Sequence, residues 1–147
     1  MVYSPDNIKK ILIPTDGSDT SVRAAEYGIG IAKSRNAQIT VVFVVDELVI
    51  EQFSDISERE SVERELKKDG KRYVQYIVDL AEKQGVPATF MFAKGRPFEQ
   101  IVNLAKGLGV DLVVMGTYAR RGSERILIGS VAERVIEYSV CPVLVVK

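Results

Sequence analysis

Histidine is absent from all 147 residues, and cysteine occurs once, at Cys141. The first absence excludes Ser-His-Asp and Cys-His chemistry and histidine-rich metal sites, leaving carboxylates, lysines and backbone amides as the chemical groups. The second excludes an intrachain disulfide. Net charge is lacking too: twenty basic residues balance twenty acidic ones, with a sequence pI of about 6.4. The basic excess that marks nucleic-acid binders is therefore missing, and no nucleic-acid partner is expected. No apolar run approaches the roughly 18–20 residues of a membrane span, and the start MVYSPDNIKKILIPTD has no apolar stretch of signal-peptide length. A cytoplasmic protein with no membrane partner is the expectation. At 46% hydrophobic and 27% charged, the chain is too apolar for a disordered one, and its length suits a single domain, 1–147.

What is present is an alternation. KKILIPTD (9–16), QITVVFVVD (38–46), PATFMFAKG (87–95), DLVVMG (111–116) and PVLVVK (142–147) are short and rich in β-branched residues. Runs of four or five consecutive apolar residues predict strands buried on both faces, as in a parallel sheet covered by helices. Between them, Val22, Ala25, Ile29 and Ala32 recur at helical spacing, as do Phe98, Ile101, Val102, Ala105 and Leu108. The longest helix is predicted to start near Ser57, where SERE fits a capping box, with Val62, Leu66, Tyr73, Ile77 and Leu80 inward. Gly70 interrupts it, at a cost of about 1 kcal/mol relative to alanine. The last helix is predicted at Ser130, where SVAE forms another capping box and Val131, Val135 and Tyr138 share a face. The segment 46–57 shows no period and reads as an irregular excursion. Pro97 suits the first turn of a helix, and Cys141, before Pro142, reads as a small buried hydrophobe. The order βαβαβαβαβ predicts a doubly wound α/β domain, in which ligands bind just beyond the carboxyl ends of the strands.

Two strand ends carry candidate chemistry. After the first strand comes PTDGSD, where Asp16 can accept hydrogen bonds from a sugar hydroxyl or base amine, hold a metal, or cap the following helix. After the fourth comes GTYARRGSERILIGS (116–130). Gly116 lets the backbone turn without a Cβ, and Gly129-Ser130 opens a helix whose free amides and dipole favour an anion. Arg120, Arg121 and Arg125 could neutralise phosphate oxygens, arginine adding bidentate geometry. The alternative is a solvated turn.

Gly116-x2-Ala119-x9-Gly129-Ser130 resembles G-x2-G-x9-G-[S/T], the nucleotide-binding signature of the universal stress protein family, with one glycine replaced. ILIPTDGS, VVFVVD, GRPFEQIVNLAKGLGVDLVVMG and CPVLVVK are similar to the family as well, so the resemblance spans the chain except roughly 47–60. It implies a five-stranded parallel sheet in the order 3-2-1-4-5, with two helices on each face. It further implies a module that binds ATP, or ADP or AMP, in stress response, with at most slow hydrolysis. Nucleoside contacts would come from Pro14, Thr15 and Asp16, and adenine contacts from the backbone at Val44. Met115, Gly116, Ala119, Arg120, Gly129, Ser130 and Val131 would wrap ribose and phosphates, which Mg²⁺ or Mn²⁺ could accompany through water and Asp16. A homodimer through the last strand, Pro142–Lys147, is implied too, because that strand would otherwise leave a long apolar edge exposed.

Ala119 is the departure. If the backbone there has positive φ, or phosphate packs on bare backbone, the methyl costs on the order of 1 kcal/mol or blocks approach. At negative φ it is harmless. The competing functions are a nucleotide-free dimeric interaction protein and a slow Mg-dependent ATPase using Asp16. Nucleotidyl transfer by an HxGH-type motif is excluded by the missing histidine, and PTDGSD is not the SGGxDS loop of ATP pyrophosphatases. A phospho-receiver is excluded because the third strand ends in AKGRP, without the required aspartate.

Overall fold

In the computed structural model, which describes residues 4–117 and 128–147, the β-branched runs all form strands. These are β1 (Lys10–Pro14), β2 (Gln38–Asp46), β3 (Ala88–Gly95), β4 (Leu112–Gly116) and β5 (Val143–Val146). Helices α1 (Asp19–Arg35), α2 (Glu47–Glu51), α3 (Ile56–Lys83), α4 (Pro97–Gly107) and α5 (Ser130–Tyr138) fall between them. All pairings are parallel and the order is β3-β2-β1-β4-β5, as expected.

The two faces of the sheet make two cores, which is why the central strands read as continuous apolar runs. Ile11, Ile13, Val41 and Val114 point to one face, under α1 and α3, where Ala25, Ile29, Val74 and Ile77 meet them. Leu12, Val42, Val113 and Met115 point to the other, under α4 and α5, where Ile101, Ala105, Ala132 and Val135 close the layer. Two helices thus cover each face. Cys141 is half-buried against the second core, and Pro97 occupies the first turn of α4. Among the described residues no helix is long and apolar enough to cross a membrane.

Several expectations are corrected. The segment 46–57 is not irregular: Asp46 accepts a hydrogen bond from the Leu48 amide at 2.9 Å and starts the short α2, whose Ile50 is buried in the first core. The capping box at Ser57 is not used, because Asp55 caps α3 through the Ser57 amide and the helix begins one residue earlier. Nor does Ser130 cap α5. Gly129 is the N-cap, with no side-chain cap bond, and Ser130 is the first helical residue. Tyr138 is largely exposed, its ring 6.0 Å from that of Phe98, and Leu108 lies beyond the last residue of α4, partly exposed. Gly70 turns out to be a packing requirement. It is buried, and a Cβ there would lie 2.3 Å from the Phe43 ring, so the helix accepts a weak helix former in order to approach β2 closely.

Candidate nucleotide cleft

The chain winds outward from β1 to β2 and β3, then returns across β1 to β4 and β5. The strand order therefore reverses between β1 and β4, where their carboxyl ends leave a crevice. A cleft of about 790 Å³ opens there.

At the end of β1, Thr15 continues the ladder by donating its amide to Val42 O at 2.9 Å. Its buried hydroxyl pairs with Ser21 Oγ at 3.0 Å, so the first turn of α1 is tied to the strand. Asp16 is exposed and does not cap α1. Its Oδ1 accepts from the Ser18 amide at 2.9 Å, closing a local turn, and Ser18 is the cap, accepting from Ser21 N. Gly17, at φ +83°, completes the turn in a conformation that disfavours a side chain.

At the end of β4, Gly116 has a different reason to be glycine from the turn the sequence suggested. A Cβ would come within 2.6 Å of the Thr20 carbonyl carbon and 2.7 Å of the Ser21 amide nitrogen, both backbone atoms of α1. The next residue fastens the same contact: Thr20 Oγ1 donates to Thr117 O at 2.6 Å, while the Thr117 amide bonds Val146 O at 3.1 Å. The start of α1 thus lies directly on β4, and Ser18, Thr20 and Ser21 of that turn line the cleft.

The opposite rim comes from α5. Because Gly129 offers no side chain, the N-cap residue leaves the first amides of this helix uncapped, and a helix start of that kind suits an anion.

Pro14, Thr15, Asp16, Val44, Met115, Gly116, Ser130 and Val131 all line this one cleft. Gly129 is buried beside it as the α5 cap. Ala119 and Arg120 lie outside the described residues, as do Arg121 and Arg125. The cleft also holds residues that sequence reasoning missed. Asp46 and Arg96 hold the N-cap positions of the helices after β2 and β3, and Thr117 follows β4, so the strand-end rule could have found them. Phe98 and Arg134 could not have been found that way. The Arg134 guanidinium stacks 4.9 Å above the Phe98 ring, a contact between α4 and α5 that only folding creates.

Comparison with known proteins adds three findings. A model of the universal stress protein family matches residues 7–147. A universal stress protein of Methanocaldococcus jannaschii is 43% identical over 139 residues, spanning 95% of this chain and 82% of the relative. The solved structure of another universal stress protein from that archaeon is 33% identical, with a TM-score of 0.84 over 95% of this chain and 96% of that one. A universal stress protein solved in complex with cAMP is 25% identical, with a TM-score of 0.65 over 95% of this chain and 96% of its own.

Proposed function

The chain belongs to the universal stress protein family, and from that premise we propose that it is a regulatory module whose cleft binds an adenine nucleotide, ATP or its ADP or AMP relatives. The observation that carries the reading is convergence: contact residues implied by the signature, drawn from four separate segments, line one cleft at the reversal of strand order. Its size lies within the roughly 300–1,000 Å³ usual for ligand sites. The relative solved with cAMP shows that an adenine nucleotide suits a member of this family.

In this reading the adenine lies by Val44, Asp16 accepts from the ribose hydroxyls, and the phosphates approach the uncapped amides of α5 at Ser130 and Val131. Gly129 shapes that helix start, and Ala119 and Arg120 of the connecting loop complete the phosphate side. Mg²⁺ or Mn²⁺ would accompany the phosphates through water rather than through a protein-built cage. The cleft's side chains include two carboxylates, Asp16 and Asp46, but no histidine to serve as a general base, so the module binds nucleotide and turns it over slowly at most.

Protein purified without added nucleotide, then denatured and examined by mass spectrometry, should release adenine nucleotide near one per chain. Calorimetric titration with Mg-ATP should show saturable binding. Ala119→Gly, run in parallel, reports on the altered signature position. If only the glycine variant binds, the methyl closes the site and the protein acts without nucleotide. Absence of binding in both overturns the reading.

We propose further that the chain works in the cytoplasm as a homodimer, and the open sheet edge supports the dimer. Among the described residues β5 pairs only with β4, which leaves its other edge without a strand, and Ile136, Tyr138 and Val140 lie exposed just before it. Light scattering at micromolar concentration should give about twice the 16.3 kDa chain mass. A monomer would remove the strand-paired dimer.

A further inference from the structure

We propose that the groove between α2 and the start of α3 docks a basic amphipathic segment of a partner protein. The groove has a volume of about 340 Å³ and lies outside the nucleotide cleft. It is lined by Ile50 and Ile56 and by four carboxylates, those of Glu47, Glu51, Glu60 and Glu63. Ile56 is 73% exposed, more than any other large apolar side chain among the described residues, although it sits at the first position of a helix that does not need it there. One exposed isoleucine means little. Here it stands at the rim of a concave surface whose other apolar wall, Ile50, is fixed in the core.

Charge selects the occupant. Residues 46–65 hold eight acidic and two basic side chains, in a chain whose totals are equal. The two cations of the groove are engaged already: Lys94 pairs with Glu63, and Arg59 Nε donates to Phe53 O at 2.5 Å. The Lys94 ammonium, with Lys67 beside it, holds the Glu63 carboxyl below the usual carboxylate range, so that pair stays ionised. Glu47, Glu51 and Glu60 have no ion pair within 4.0 Å among the described residues. A hollow with two isoleucines and three carboxylates outside any ion pair among the described residues repels nucleotides and acidic peptides. It complements a segment that offers one apolar side chain between lysines or arginines, as one face of a helix does.

The test is fluorescence anisotropy with a labelled synthetic leucine-lysine amphipathic peptide, on the full-length protein. Saturable binding is expected, weakened about tenfold in the Glu47→Gln/Glu51→Gln/Glu60→Gln variant and weakened also by Ile56→Ser. A charge-matched control, Glu26→Gln/Glu82→Gln/Glu137→Gln, alters exposed residues elsewhere and should lose less than about threefold. Equal losses in the two triple variants would show diffuse attraction and overturn the docking site, as would parent-like binding by the first. An unaffected Ile56→Ser would remove the apolar half of the proposal. Mg-ATP affinity in the groove variants should match the parent, so this result stands or falls separately from the nucleotide reading.

Discussion

Gly116→Ala should destabilise the protein by about 1–3 kcal/mol, the usual cost of forcing a methyl into a packed site. The neighbours decide this. The new Cβ would meet backbone atoms of Thr20 and Ser21 at 2.6–2.7 Å, and a helix backbone cannot rotate aside as a side chain can. Relief requires α1 to move away from β4. That motion would stretch the 2.6 Å bond from Thr20 Oγ1 to Thr117 O and displace the turn that carries Ser18, Thr20 and Ser21 into the cleft. The urea midpoint should fall with little change in its slope, and Mg-ATP affinity should fall with it at temperatures where the variant is still folded. An unchanged midpoint would show that the helix and strand separate freely, and would return Gly116 to the role of a loop glycine.

The case of Gly116 shows where sequence reading stops. Its position after an apolar run placed it at a strand end, where it does line the cleft, but the reason for the residue lies in a helix almost a hundred positions away. The strands were legible because burial on both faces leaves few polar positions in β1, β2 and β4. Helix starts were less so. SERE and SVAE both satisfy the capping-box pattern, yet Asp55 and Gly129, each earlier in the chain, hold the cap positions. The pattern cannot tell which of two residues one or two positions apart leaves helical geometry first. Helix α2 escaped notice because five residues are too few to show a period, even though Asp46 is an ordinary cap. In the cleft, the residues fixed by strand ends were open to sequence reasoning, whereas the Phe98-Arg134 stack depends on how α4 crosses α5.

The uncapped start of α5 follows the same logic with a functional consequence. Had Ser130 been the cap, its hydroxyl would have bonded the helix's own amides and competed with any phosphate. With Gly129 in that position the cap residue supplies no side-chain bond to those amides, and the first residues of the helix, Ser130 and Val131, line the cleft. In the proposed reading, the nucleotide's phosphate takes that place.

Asp16→Ala should weaken Mg-ATP binding by about 10- to 150-fold, the effect of losing a charged hydrogen bond worth about 1.5–3 kcal/mol. Stability should hardly change. Asp16 is exposed, its one hydrogen bond among the described residues closes the local turn at the Ser18 amide, and α1 is capped by Ser18 instead. The urea midpoint should therefore move by less than that of Gly116→Ala, which separates loss of a ligand contact from loss of structure. Asp16→Asn sharpens the distinction, since the amide oxygen can still accept from Ser18 N and from a hydroxyl but carries no charge. Its affinity should fall between those of the parent and the alanine variant. Any ATP turnover by the parent protein should vanish with the alanine. If calorimetry gives Asp16→Ala the parent's affinity, the carboxylate serves only its turn, and the nucleoside must be held by the backbone at Val44 and the amides of α5.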